Sequence, residues 1–488
     1  MSASAETVVG EVFPRRSSRG ALLGLSKAAL ACVLAGAVIA VFSMPVSGGV
    51  HGLLVTMPVW ATLWLLGLTP MGAVGGKVVD WVPVAVSFAV RRATGQYQYR
   101  RPVWRTRPAG TLALPGSRAR LRLYMDERDQ TAFVHDPHKR TLTVTCKVTH
   151  GQFLMSDPAS RQQQADGLAG LLASVGQADG VSRIQIQHRV MADGGVAVRS
   201  HWDQWEDKAA DGAVRRNYEQ LMSRSITSTE NHQSSITITL DLNEVAGAVK
   251  SYGGGLKGGA AVLRERMRLL EDCLPSAGVT SRGWMTPDEL AVIIRTAYDP
   301  ELAVRLQQHP EEAGDLCEAG PVSVDSAWSH MRTDSGYHAV LQIHRWPRRR
   351  VGAGFLHPLV LMPGVKMAFT LVYRPIDTAK AVRDAEHDDA REVDAKIDRQ
   401  KAGRRDTVIH QRERSQARDH LMDLDDGFED MDHIALVAVT AQDRQSLDRA
   451  VEDVKSAVRR AKCNSWVLVG QQDELFDAAA LPLGLGVR

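Results

Sequence analysis

The segments of this 488-residue chain that could carry out chemistry are few, and each lacks part of the pattern that its chemistry needs. A phosphate-binding loop requires two spaced glycines, then Lys, then a Ser or Thr whose hydroxyl holds Mg²⁺. The nearest match is Gly72–Lys77, where the first glycine is misplaced and Val78 replaces the hydroxyl residue. The sequence therefore predicts no Walker-type ATPase.

A second candidate for chemistry is the cluster of His135, Asp136 and His138, since imidazoles and carboxylates are common metal ligands. The flanking sequence indicates two strands joined by a turn at residues 136–140, so these side chains are expected at a hairpin tip. The five cysteines lie far apart and include no Cys-x-x-Cys pair, which argues against a zinc knuckle or a disulfide framework. We predict no catalytic, cofactor-binding or metal-binding residue and no cofactor.

The composition indicates a folded chain with a sizeable core. Hydrophobic residues make up 44% and charged residues 24%, and the mean hydropathy is −0.18. These values exclude a disordered protein and a polytopic transporter. The 59 Lys and Arg nearly balance the 56 Asp and Glu, so the net charge of +3 gives no bulk attraction for DNA or anionic lipid. The positions of the charges therefore matter more than their sum.

One long stretch of the chain is free of charge. From Ala28 to Gly76 there is no Asp, Glu, Lys or Arg, and Pro45 with Gly48 and Gly49 interrupts the apolar sequence. A spanning helix needs about 20 apolar residues, and Pro and Gly permit a sharp reversal between two of them. The sequence thus predicts a transmembrane helical hairpin with spans at Leu22–Met44 and Val50–Leu68.

Basic residues flank this stretch on both sides, and the loop between the two predicted spans has none. By the positive-inside rule, the chain is expected to be a multi-pass protein of the cytoplasmic (inner) membrane with both termini cytoplasmic. Residues beyond the second span contact anionic lipid headgroups in this interpretation, with nucleic acid as the less favoured partner. The arginines proposed for this contact are Arg91, Arg92, Arg100, Arg101, Arg105 and Arg107.

The remaining sequence alternates between strand and helix patterns and predicts an α+β fold, in which the transmembrane hairpin precedes a mixed α/β cytoplasmic region of two subdomains. Residues 377–420 have evenly balanced positive and negative charges and few apolar side chains, a composition that favours a projecting helix. The predicted units are a cytoplasmic tail (1–20), the hairpin (21–69), a basic juxtamembrane segment (70–108), the two subdomains (109–300 and 301–488) and the projecting helix (377–420).

Two regions carry a resemblance to known proteins. The entry sequence Phe13–Gly20, which leads into the hairpin, resembles the PrgI-type small membrane subunits of conjugative type IV secretion systems. The segments Val469–Phe476 and Ala480–Leu483 are similar to the end of the N-terminal domain of the CagE/TrbE/VirB conjugation ATPases, which precedes their motor domain. The whole chain resembles an actinobacterial family of two-pass proteins of conjugation-type, or type IV-like, secretion systems.

This resemblance implies a non-catalytic inner-membrane scaffold that lacks the motor domain. Its implied partners are a conjugation-type ATPase supplied in trans and other membrane secretion subunits, within an oligomeric assembly. An EccE-like membrane subunit of a type VII secretion system has the same order of parts and remains an alternative. A membrane-tethered nucleic-acid-binding protein is a further alternative, and an enzyme is the third.

Overall fold

A computed structural model of the chain defines the parts of the fold discussed below. It describes residues 27–46, 50–69, 77–102, 110–193, 212–226, 230–347, 351–376 and 431–486, apart from positions 113, 127, 152 and 154, together with a few isolated positions elsewhere.

Helices occur in three groups: one before the first long strand, one in the middle of the chain and one near its end. Their bounds are α1 Lys27–Val46, α2 Val50–Leu68, α3 Val78–Ala93, α4 Pro158–Gly176, α5 Gly212–Ile226, α6 Ala246–Ser251, α7 Gly255–Cys273, α8 Pro287–Tyr298, α9 Ala303–Gln308, α10 His357–Val360, α11 Arg444–Arg460 and α12 Gln472–Ala480. Helix α8 begins with a capping box, in which Thr286 and Glu289 each accept a hydrogen bond from the other's backbone N–H.

The strands range from short edge strands to central strands of about a dozen residues. Their bounds are β1 Gln98–Arg100, β2 Arg122–Met125, β3 Ala132–Asp136, β4 Thr141–His150, β5 Val181–Ala192, β6 Glu230–Asp241, β7 Val279–Trp284, β8 Ser323–Ser326, β9 Met331–Arg332, β10 Tyr337–Arg345, β11 Lys366–Pro375, β12 Met431–Ala441 and β13 Asn464–Val467.

These strands form one sheet of 13 strands in the order β1-β8-β9-β10-β12-β11-β5-β6-β4-β3-β2, with β13 beside β10 and β7 beside β4. The strand pairs of the described chain run antiparallel. Strand β5 pairs with β11 from Met367 opposite Val190 to Tyr373 opposite Ile184. This pairing joins strands from both predicted subdomains in a single sheet.

Helices cover both faces of the sheet, because successive side chains of a strand point to opposite faces and both faces carry buried side chains. On one face, α8, α9 and α12 pack over Leu436 and its neighbours. On the other face, α4 and α7 cover Ile238 and the strands around it, while α10 and α11 cover Val437 and the strands around that residue. We call the sheet together with these covering helices the body. It is a three-layer arrangement with the sheet in the middle.

The end of the chain lies across the centre of the first face and is held there by polar side chains of the strands. Gln185 donates to the carbonyl of Leu481 (2.9 Å) and accepts from the N–H of Gly484 (2.7 Å). Gln187 donates to the carbonyl of Ala479 (3.0 Å). Carbonyl groups in the last turn of α12 and backbone groups after it have no helical partner, so these buried side chains satisfy them. We call residues 472–486 the C-terminal segment.

Helices α1 and α2 pack against each other, and α3 contacts both. The indole N–H of Trp64 in α2 donates to the carbonyl of Val33 in α1 (3.1 Å). Glycines allow this approach, since a Cβ at Gly36 would meet the Trp64 ring and a Cβ at Gly67 would meet the carbonyl oxygen of Ala29. Helix α3 reaches the body, where the Phe88 and Trp328 ring centroids are 5.2 Å apart.

The predicted transmembrane hairpin is wrong. The charge-free sequence does form two helices, but among the described residues none combines the length and the apolar character that crossing a membrane requires. Absence of charge was the signal behind the prediction, and that absence alone does not establish a span. The predicted location, multi-pass in the cytoplasmic membrane with both termini cytoplasmic, is overturned with it. The predicted tail 1–20 and almost all of the projecting helix 377–420 lie outside the described residues.

Two glycines of α4 give a matched test of how this helix packs. A Cβ at Gly167 would overlap the backbone of Ser276, whereas a Cβ at Gly170 meets nothing within 4 Å. Gly170→Ala should raise the free energy of unfolding by about 0.5–1 kcal/mol, because alanine favours the helix. Gly167→Ala should lower it, since α4 must move away from residues 274–277. Chemical denaturation of both variants measures this, and equal effects would contradict the described packing.

Candidate functional site

Arg91, in the last turn of α3, is the sequence-predicted site residue that the structure ties most firmly to the body. Its Nη1 lies 3.1 and 3.0 Å from the two carboxylate oxygens of Asp473, and its Nη2 donates to the carbonyl of Gly470. The side chains of Arg91 and Asp473 are 16% and 23% exposed. Partial burial strengthens this ion pair relative to one on the surface. Arg91 therefore fastens α3 to the start of the C-terminal segment.

The other described arginines of this group also have partners within the chain. Nη2 of Arg100 lies 2.9 Å from each of the two carboxylate oxygens of Asp325. Arg101 donates to the carbonyl of Glu318 (3.1 Å) and lies 3.8 Å from its carboxylate. The guanidinium carbon of Arg92 lies 5.9 Å from the ring centroid of Tyr97.

The structure thus brings Arg91, Arg92, Arg100 and Arg101 to the junction between α3, β1 and the body, and Arg105 and Arg107 lie outside the described residues. Sequence analysis missed the acidic partners, which are far away along the chain. Local spacing carries no signal for such pairs. Contact of these arginines with anionic headgroups or nucleic acid stays a prediction.

The His135, Asp136 and His138 cluster forms the expected hairpin turn between β3 and β4. Burial favours the neutral form of Asp136, but hydrogen bonds from the N–H groups of Lys139 and His138, with the charge of Arg120, outweigh it and lower the pKa. Asp136 therefore stabilises the turn. In the described part of the chain, no group of three His, Cys, Asp or Glu side chains is placed to hold a metal ion.

Helices α1, α2 and α3 carry many exposed apolar side chains. Most of the large hydrophobic side chains that the structure exposes lie there, and isolated exposed hydrophobic residues are ordinary whereas a cluster is not. We call this set the apolar helical surface: Leu34, Val38, Val41, Phe42, Leu54, Val55, Met57, Val59, Trp64, Leu65, Leu68, Val82, Val86 and Val90.

A second notable feature is a buried polar network between α8, α12 and the sheet. The hydroxyl of Tyr298 donates to Asp477 of α12, and Arg118 lies 3.8 Å from the other carboxylate oxygen. Thr333 donates to the carbonyl of Tyr298 and lies 2.7 Å from Nε2 of His338. Because these side chains bond to one another beneath the surface, they position α12 rather than meet a substrate.

Burial governs the protonation of this network. It raises the pKa of Asp477 to about 7, although the hydrogen bond from Tyr298 and the Arg118 charge favour the ionised form. It also raises the pKa of Tyr298 well above its ordinary value and lowers the pKa of His338 to about 3. His338 is thus neutral at physiological pH, and Asp477 is the group whose charge changes near neutrality.

The raised pKa of Asp477 predicts a specific pH dependence of stability. Between about pH 4, where an unfolded Asp ionises, and about pH 7, the native chain holds a proton that the unfolded chain has released. The free energy of unfolding should therefore fall as pH rises through this window, by up to about 1.4 kcal/mol per pH unit, and then level off. Asp477→Asn should lack this component. Denaturant titrations at several pH values in this window measure the free energy of unfolding of both proteins. The same dependence of that free energy on pH in the two proteins would contradict the prediction.

No protein-family model matches this chain, and a search of the curated proteins gives no match either. The resemblance to conjugation-type secretion subunits accordingly rests on the quoted residues alone. The function is argued below from the apolar helical surface and its attachment to the body.

Proposed function

We propose that the chain is a non-catalytic scaffold subunit of a conjugation-type secretion assembly. Helices α1–α3 bind other subunits of the assembly, and the sheet-based body docks a separate ATPase. The observation that carries the proposal is the apolar helical surface, which is attached to a large folded body. The resemblance of the N-terminal and C-terminal sequences supplies the kind of assembly.

The composition of the apolar helical surface favours helices of neighbouring subunits as its occupant. Leu34, Val38 and Phe42 of α1 are 55%, 53% and 66% exposed. They lie near the exposed small residues Ala31 and Ala35. Small side chains allow a second helix to approach closely, and the aliphatic ones provide the area it buries, at about 25 cal/mol per Å².

The attachment of α3 to the body supports a scaffold rather than a loosely tethered domain. The Arg91 pair with Asp473 and the Phe88 contact with Trp328 both hold α3 against the body. A subunit bound to α1–α3 would therefore take a fixed position relative to the sheet. Such a fixed position is what a scaffold must provide to a motor on the same body.

The segment that resembles the conjugation ATPases lies inside the body. Leu475 and Phe476 of α12 are buried against the sheet, at 5% and 1% exposure. This segment serves the folding of the body, since buried side chains offer no contact surface. The resemblance therefore supports a body similar in fold to that ATPase region, and the proposed ATPase docks on the outer helices or sheet edges.

The proposal is tested by recovering the full-length chain from cells that contain the complete secretion system. We expect the other subunits and the ATPase to co-purify, and a photo-cross-linker at Phe42 to join the chain to a helix of another subunit. Leu34→Ser with Val38→Ser should reduce that cross-linking and co-purification roughly tenfold or more, because apolar anchors dominate such contacts.

Leu361→Ser is the matched control, since Leu361 is 43% exposed but lies on the body beside β11. It should leave the cross-linking to the other subunit unchanged, because it lies outside the apolar helical surface. Recovery of the chain as a single copy, with no other subunit co-purified or cross-linked, would contradict the proposal. Recovery with a type VII ATPase would replace the conjugation-type assignment.

A further inference from the structure

The central strand β5 presents a row of long polar side chains to the face covered by α8 and α12. Gln185, Gln187 and Arg189 are two residues apart, so they point to the same face. The two glutamines bond to carbonyls of the C-terminal segment, as described above. Arg189 is the next side chain in the row, and its Nη1 donates to no carbonyl of the described residues.

Arg189 is a buried cation with no acidic partner among the described residues. The residue is 5% exposed, and its Nη2 contacts the hydroxyl of Thr296 (3.1 Å), the sulfur of Met191 (3.0 Å) and the carbonyl of Ile293 (3.4 Å). Its Nη1 has no hydrogen-bond partner in that part of the chain. Burial lowers the pKa of Arg189 to about 10, which still leaves it charged at neutral pH. Because a buried charge is costly unless it is paired, this guanidinium is suited to binding an anion.

A cavity of about 40 Å³ lies at this arginine. Since one water needs about 10–15 Å³ by the same measure, the space holds about three waters. The described lining residues contain two cationic side chains and no carboxylate. The lining residues that matter here are Arg189 and Thr296 on the buried side, Lys366 and Ala368 of β11, and Phe476 of α12.

The sheet register explains why the two cations meet at this cavity. Ala368 of β11 is directly opposite Arg189 of β5, and Lys366 is two residues before Ala368 on the same strand. Lys366 therefore shares the face of Arg189 and lies diagonally across from it, at a Cα separation of about 7–8 Å. The small side chain of Ala368 leaves the space between them open. Lys366 is only partly buried, which places it towards the solvent side.

We propose that this cavity binds a phosphate group, with Nη1 of Arg189 donating from the buried side and the ammonium of Lys366 from the mouth. A phosphate carries a charge of about −1.5 to −2 at neutral pH, which matches two cations better than chloride or a carboxylate does. Its tetrahedral oxygens fill a space of about three waters, whereas a nucleoside does not fit there. The source is free inorganic phosphate or the terminal phosphate of a larger molecule that extends outside.

Calorimetric titration of the full-length chain with inorganic phosphate tests this proposal. We expect one phosphate per chain and a rise in the melting temperature with phosphate concentration, as mass action requires. Arg189→Met and Lys366→Gln should each weaken binding roughly tenfold or more. Lys366→Gln changes a partly exposed side chain, so it reports on the site even if the buried substitution impairs folding.

Arg183→Met is the matched control, because Arg183 is a second largely buried arginine of β5 that does not line this cavity. It should lose stability yet keep the wild-type affinity for phosphate. ATP that competes with phosphate and binds more tightly would identify a terminal phosphate as the ligand, and absence of competition would identify free phosphate. No saturable binding to the wild type, or binding that survives both Arg189→Met and Lys366→Gln, would overturn the proposal.

Discussion

The hydrogen bonds between the strand side chains and the backbone of the C-terminal segment are the constraint on which the rest of the structure depends. The last turn of α12 and the irregular chain after it are buried, so their carbonyl and N–H groups need partners that they cannot supply themselves. Glutamine and threonine side chains of four central strands supply them. These side chains are Gln185, Gln187, Thr145, Thr237 and Thr370. Strands from both halves of the chain therefore share one buried segment.

This constraint extends from the sheet to the N-terminal helices. Helix α12 carries Asp477, which pairs with Tyr298 of α8, and Asp473, which pairs with Arg91 of α3. One helix thereby fixes the layer over the sheet and the position of α3, and through α3 that of the apolar helical surface. The proposed scaffold function uses this continuity, since subunits bound to α1–α3 would be held in register with the body. The proposed phosphate site lies beside the same helix, because Arg189 follows Gln185 and Gln187 on the same face of β5.

Local features of the fold could be predicted from the sequence, whereas its long-range pairings could not. The capping residues Thr286 and Glu289 are a local signal in the sequence for the start of α8. The absence of charge after Ala28 predicted helices but misled on the membrane, because charge pattern alone does not fix a span. The sequence identified Arg91 and Arg100 as members of a basic group, but it did not indicate their acidic partners, Asp473 and Asp325, which lie far away along the chain. Gln185 has the polar character of an exposed strand residue, and only the fold shows that it is buried.

Amide hydrogen exchange of Gln185→Leu against the wild-type chain tests the central claim most directly. The substitution removes both hydrogen bonds of Gln185 to the C-terminal segment and leaves the N–H of Gly484 buried without a partner, at a cost of about 1–3 kcal/mol. The account predicts faster exchange in residues 472–486 and in α3, with α11 on the opposite face unchanged. Unchanged exchange in α3, or a uniform loss of protection across the whole sheet, would contradict it.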